Sequence, residues 1–368
     1  MGQDKKIIYS DGDIESVILN TIDNPVEFQK LCGEPGAVFH NFTKCRENLI
    51  NWYPFKENST VLEIGAGMGA LTGCLCDRCG EVVAIEESSR RAEIILKRHK
   101  KYSNLKVISD NIYDHEFNTK FDYILLIGVL EYVGINNVEG DPYARLLNKI
   151  RDLLKDDGVL LLAIENKFGL KYWCGAAEDH TGKAFDGIND YKMNSATGRY
   201  SKSGVRTFSR DELYTMLKKT GYKDERFYYP LPDYKFPSFV FSDQHLPDID
   251  NIRAIKFTYP QESELIANEK ELYKDIIDNN IFPFFANSFL VEASKGQLSE
   301  NNIVFVSHKR DYKVEYNVST LIDSHNRVNK VANSEEAKRH LITIQKNRME
   351  LYAKGVNIIG TELCDDCK

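Results

Sequence analysis

Between residues 60 and 166, five short apolar runs (61–64, 82–85, 105–108, 123–127 and 159–164) are separated by longer stretches with helical spacing, such as 88–101 and 142–154. The runs are apolar throughout rather than alternating, so both faces of each strand must be covered. Strands of that kind, interleaved with helices, pack as a mostly parallel sheet between helical layers. The expectation is therefore an α/β fold of Rossmann-like type.

Flanking segments suggest three units. Residues 1–55 read as a helical cover, with helices over 26–31 and 42–52, and 56–261 as the α/β domain. Within the latter, Ser209-Arg-Asp-Glu212 is a capping box opening a helix that stops before Gly221. The aromatic, proline-punctuated stretch 227–241 suits antiparallel strands at a sheet edge. Residues 262–368 change character: a helix over 264–278, strand-like runs at 288–292, 303–307, 313–320 and 327–332, then a charged helix over 335–353. They are read as a small accessory α+β domain. Lys330 and the helix after it faintly resemble part of a kinase amino lobe, so a truncated kinase-like lobe is the alternative.

Composition narrows the class. Charged residues make up 28% and hydrophobic residues 42%, which excludes disordered and fibrous chains. No apolar run approaches the ~20 residues of a membrane span, and residues 1–13 lack the apolar segment of a secretory signal. A cytoplasmic protein without a transmembrane segment is expected. The formal charge of −7 argues against bulk nucleic-acid binding. Cys76/Cys79 and Cys364/Cys367 each have the spacing of a zinc half-site. Neither has a histidine partner or a glycine knuckle, so they are read as reduced, incidental thiols and no metal is expected.

The informative segment is Glu63-Ile-Gly65-Ala66-Gly67-Met-Gly69. Glycines here let a buried strand turn sharply into a helix and let backbone approach a ligand. Glu86 ends the next strand, where a carboxylate can accept both hydroxyls of a ribose. Together they indicate an adenosine-containing cofactor. A nicotinamide dinucleotide also fits the glycine spacing, but Glu63 would sit badly near a pyrophosphate and suits a cationic sulfonium or ammonium. No GxxxxGK[ST] phosphate loop is present.

Glu63-x-Gly65-x-Gly67-x-Gly69, Glu86, Asp110, Ile127-Gly-Val-Leu-Glu-Tyr132 and Leu154-Lys-Asp-Asp-Gly-Val-Leu-Leu161 resemble the class I S-adenosylmethionine-dependent methyltransferases. The resemblance implies that the glycine loop, with Ala66, lies beside the cofactor's amino-acid part and that Glu86 holds the ribose. It places Asp110, Asn111 and Ile112 around the adenine, with Gly128 and Glu131 lining the transfer cleft. S-adenosylmethionine is the expected cofactor and S-adenosylhomocysteine the product.

For the acceptor, residues 165–186 start at a strand's C-terminal end and gather Asn166, Lys167, Tyr172, Trp173, Glu178, Asp179 and His180 among glycines. Aromatic faces beside carboxylates suit a sugar ring. Glu165-Asn-Lys-Phe-Gly-Leu-Lys-Tyr-Trp173 and Glu178-Asp-His-Thr-Gly182 resemble methyltransferases found with glycosyltransferases of bacterial surface polysaccharides. That resemblance implies O-methylation of a sugar or glycan-linked group, in association with glycosyltransferase machinery. His180 is the candidate general base, with Asp179 adjacent in sequence and Glu131 on the cleft. His40 in the N-terminal cover is a second candidate. The alternatives are a methyltransferase acting on a small metabolite, peptide or RNA, and a non-catalytic interaction module with a vestigial nucleotide pocket.

Overall fold

The computed structural model describes residues 12–33, 37–134, 140–191, 204–257, 265–309 and 316–353. Its strands are β1 (Thr60–Ile64), β2 (Glu81–Glu86), β3 (Leu105–Ser109), β4 (Phe121–Ile127), β5 (Leu154–Glu165), β6 (Asp224–Leu231), β7 (Phe239–Ser242), β8 (Ser288–Ser294), β9 (Ile303–Lys309), β10 (Val318–Asp323) and β11 (Val328–Ala332). All belong to one sheet, ordered β11-β10-β9-β7-β6-β8-β5-β4-β1-β2-β3. β3, β2, β1, β4 and β5 are parallel neighbours. The remaining pairings, from β5·β8 outward to β10·β11, are antiparallel. The parallel half is the one announced by the apolar runs: Leu62, Ile124, Leu125, Leu160 and Leu161 are fully buried between its helical layers.

The boundary expected at 262 does not divide the sheet. β8 lies between β5 and β6, with Ser294 opposite Val159 on one side and Asp224 on the other. β9 to β11 then extend the same sheet through the short β7–β9 pairing. The helix expected over 264–278 is Glu269–Asp278, and residue 264 lies outside the described residues. The run expected at 313–320 is strand only over Val318–Asp323.

Local signals set the helix starts. Ser209 and Glu212 form the full capping box of Arg210–Lys219. Asp141 accepts from the Tyr143 and Ala144 N–H groups at the start of Pro142–Leu153. Helix Ser89–Arg98 buries Ala92, Ile94 and Ile95. Leu96 of the same helix is exposed. Basic residues of this helix pair with the N-terminal cover. Glu15, wholly buried on helix Asp13–Thr21, pairs with Arg91 Nε at 2.8 Å and Arg90 Nε at 3.1 Å, and Asp23 pairs with Lys97 at 2.9 Å.

The expected helix over 42–52 is instead a helix at Ala37–Phe42 and a 3-10 turn at Lys44–Leu49, where Thr43 accepts from the Cys45 N–H. This cover docks on residues 235–237. Asn48 donates to the Pro237 carbonyl at 2.8 Å, and the His40 ring meets Phe236 edge-on at 4.6 Å. Strand order reverses between β1 and β4, and ligands of open α/β sheets settle at the C-terminal ends beside such a reversal.

Candidate active site

Four adjacent strand ends bring the expected cofactor residues to one edge. Gly65, Gly67 and Gly69 all have positive φ (66°, 57° and 74°). The Gly65 and Ala66 N–H groups donate to the Ile85 carbonyl, which folds the loop back over β2. A side chain at Gly65 would run into Val129, with a Cβ only 2.6 Å from its Cγ2. Over Gly67, by contrast, a Cβ would meet nothing within 4 Å. That open cradle beside a carboxylate is what an adenosine cofactor requires.

Glu86 is 7% exposed at the end of β2. Its Oε2 accepts from the Gly67 N–H at 2.9 Å and its Oε1 from the Ser88 N–H at 3.0 Å. The Asp110 N–H donates to the Glu86 carbonyl at 3.2 Å, so the 110–112 turn adjoins the same edge. Asp110 itself caps the Asn111 N–H and meets His115 Nδ1 at 3.1 Å, while Ile112 packs on the core. Gly128, at φ 67°, ends β4. A Cβ there would come 2.8 Å from the Tyr234 hydroxyl and 3.5 Å from Glu131 Oε1.

Glu63 lies beneath the loop, its Oε2 accepting from the Thr72 hydroxyl at 2.6 Å. Burial pushes its carboxyl up to about 7, opposed by the Thr72 hydroxyl and by Arg98. The folded protein therefore retains this proton to higher pH than the unfolded chain. Stability from the protonated group is full below about 4.5 and is lost as pH rises through 7. A cationic ligand reverses the preference, because it favours the ionised form. S-adenosylmethionine affinity should rise up to about tenfold between pH 6 and 8, and Glu63→Gln should flatten that rise in calorimetric titrations.

On the acceptor side, Glu178 anchors His180. Its Oε1 lies 2.7 Å from His180 Nδ1 and accepts from the Tyr191 hydroxyl, while its Oε2 accepts from the His180 and Thr181 N–H groups. His180 Nε2 faces Glu131 Oε1 at 3.8 Å. Burial opposes a charge on this imidazole, yet Glu131 and Glu178 outweigh it and raise it to about 10. His180 is thus an imidazolium at neutral pH, which corrects the expectation of a free base there. His40 is the neutral histidine, pushed down to about 3 by burial and by Arg46 and Lys235.

Asp179 does not orient His180. It pairs with Lys171 Nζ at 3.1 Å and with Lys235 Nζ at 2.9 Å. Burial alone would raise its carboxyl, but the two lysines hold it well below the usual carboxylate range. Lys235 also pairs with Glu165. Asn166 spends its amide on the Phe284 and Ala286 carbonyls and its oxygen on the Phe168 N–H. Lys167 is spent on Asp190 at 2.6 Å. Tyr172 is buried, and of the expected sugar platform only Trp173 presents an exposed ring.

Glu165, Lys171, Tyr234 and Lys235 were not among the expected site residues. Lys235 lies within the aromatic stretch 227–241, and Glu165 opens the segment singled out for the acceptor. Cys76 and Cys79 are buried free thiols, and Cys364 and Cys367 lie outside the described residues.

Sheet order, glycine loop and acidic strand end define the class I S-adenosylmethionine-dependent methyltransferase fold, and S-adenosylmethionine is the cofactor. Residues 39–136 match the family model of ribosomal RNA adenine dimethylase. The rRNA adenine N-6-methyltransferase of Bacillus licheniformis is 36% identical over 75 residues, 20% of this chain and 26% of that protein. The ribosomal RNA small subunit methyltransferase A of Syntrophus aciditrophicus is 26% identical over 98 residues, 27% and 33% of the two chains. The chain thus spans between about a quarter and a third of these relatives' length. Among solved structures, a Thermotoga maritima methyltransferase described as a possible histamine N-methyltransferase is 18% identical, with a TM-score of 0.40 over 75% of this chain and 97% of that one. The N-methyltransferase NodS of Bradyrhizobium japonicum with bound S-adenosylhomocysteine is 17% identical, with a TM-score of 0.31 over 42% and 74%.

These relatives overturn the expectation of no bulk nucleic-acid binding, since the curated ones are named for ribosomal RNA. The negative charge is not spread evenly along the chain. Residues 39–136 hold 12 Lys and Arg against 13 Asp and Glu, so the acidic excess lies elsewhere in the chain. None of the relatives named above is described with glycosyltransferase machinery. Among the described residues no helix is long and apolar enough to cross a membrane.

Proposed function

We propose that the protein transfers a methyl group from S-adenosylmethionine to an acceptor held against Glu131 and His180. The observation that carries this reading is the convergence, at one sheet edge, of the open Gly67 cradle and Glu86 with the buried cluster reached across Gly128. The cofactor supplies an electrophilic sulfonium methyl. Glu86 holds its ribose and Glu63 answers its positive charge. With His180 already charged between two carboxylates, Glu131 is the group that takes a proton from the acceptor. Glu178 fixes the imidazolium, and Lys171 and Lys235 hold Asp179 in place as scaffold.

A base of RNA is the acceptor with the better support, because both curated relatives and the family model are named for that substrate. A sugar hydroxyl is the second reading, favoured by the exposed Trp173 ring. The test is label transfer from methyl-tritiated S-adenosylmethionine to ribosomal RNA and to surface-glycan fragments, with Glu86→Ala as control. Labelled RNA that is blank in the control supports the reading. Labelled glycan with blank RNA overturns the acceptor, and no label in either overturns methyl transfer to these classes.

A further inference from the structure

We propose that Glu131, Glu165 and His180 form a binding site for a first-row divalent cation, of which Mn²⁺ is the working example, on the floor of the acceptor cleft. Each residue offers one ligand atom, and these atoms lie within 4.8 Å of one another. Metal–ligand bonds of about 2.1 Å place opposite ligands about 4.2 Å and adjacent ligands about 3.0–3.4 Å apart, so the longest separation has to close by between about 0.6 and 1.8 Å.

Two further observations point to a ligand. Glu131 and Glu165 are 1% and 0% exposed, and no hydrogen-bond partner reaches Oε2 of either. Buried carboxylate oxygens without a partner are costly, and a cation between them removes that cost. Lys235 pairs with Glu165 through Oε1, which leaves Oε2 available. The imidazole is also prepared for ligation. Its Nδ1 is committed to Glu178 at 2.7 Å, and Glu178 is fixed by the His180 and Thr181 N–H groups and the Tyr191 hydroxyl. That leaves Nε2 toward Glu131, where an incoming ion takes the place of the ring proton. A carboxylate behind a histidine, aiming its other nitrogen, is how metal-ligating histidines are held.

One imidazole and two carboxylates suit manganese or zinc better than calcium or magnesium, which prefer all-oxygen sites. The site adjoins Gly128, where cofactor and acceptor edges meet. A cation there acts as a Lewis acid on an acceptor oxygen or nitrogen. The three ligands come from the 3-10 turn Leu130–Tyr132 after β4, the end of β5 and the loop after helix Leu170–Trp173, so spacing along the chain hides them. The site stands on its own geometry, independent of which acceptor is methylated.

The test is titration of the chelator-treated full chain with Mn²⁺, followed by electron paramagnetic resonance. The expected result is one ion per chain, with nitrogen modulation from His180. Glu131→Gln and Glu165→Gln should each weaken binding at least tenfold, and Glu178→Gln by about 10- to 100-fold. S-adenosylhomocysteine binding reports whether each variant is folded. Absence of stoichiometric Mn²⁺ in the wild type, or of nitrogen modulation from the bound ion, overturns the site. Unchanged affinity in folded Glu131→Gln and His180→Ala would overturn it equally.

Discussion

Glu86→Ala is expected to weaken S-adenosylhomocysteine binding by a factor of about a hundred or more. The carboxylate sits at the end of β2 with both oxygens oriented by backbone N–H groups of Gly67 and Ser88. Burial raises its pKa, while those two donors and Arg91 favour the ionised form. A ribose placed over Gly67 offers its two hydroxyls to this group. Hydrogen bonds to a charged acceptor contribute about 1.5–3 kcal/mol each, so losing two removes about 3–6 kcal/mol. At about 1.4 kcal/mol per tenfold, that is a hundredfold or more. Isothermal calorimetry reads it directly. An affinity within threefold of wild type would show that Glu86 does not carry the ribose.

Lys171→Met should destabilise the fold by about 3–5 kcal/mol, the cost of removing one partner from a buried ion pair. Lys171 is 1% exposed on the short helix Leu170–Trp173, with Nζ 3.1 Å from Asp179 and 4.0 Å from Asp233. Methionine fills most of the same volume but leaves two buried carboxylates facing Lys235 alone. Urea unfolding followed by circular dichroism measures the loss, and a change below about 1 kcal/mol would mean that Lys235 compensates both. The electrostatic ordering of this cluster explains how Asp179 stays charged so far from water, and why His180 and Asp179, adjacent in sequence, serve different partners.

Features encoded by neighbouring residues were legible in the sequence. The five apolar runs became β1 to β5 because each is long enough for one strand and is bounded by turn residues or amphipathic helix. Ser209 and Glu212 formed the capping box because both of its bonds are local. The gathering of the glycines and Glu86 at one sheet edge was legible for the same reason: they lie within one strand–turn–helix–strand unit. What was not legible depends on distant pairing. β8 looked like part of a separate unit because nothing in residues 288–294 shows that it will slot between β5 and β6. Lys235 meets Glu165 and Asp179 across 70 and 56 residues, and composition does not reveal such partners. His180 looked like a base because its neighbour in sequence is Asp179, whereas its neighbours in space are Glu178 and Glu131. The pairing of helix Ser89–Arg98 with Glu15 and Asp23 was hidden because those partners lie more than 70 residues upstream.

Calorimetric titration of one sample with S-adenosylmethionine, S-adenosylhomocysteine and NAD, repeated on Gly67→Arg, tests the central claim most directly. The account predicts stoichiometric binding of both sulfur compounds, no heat from NAD, and loss of the signal when an arginine fills the open space over Gly67. Binding of NAD in their place, or sulfur-compound binding that survives Gly67→Arg, would contradict it.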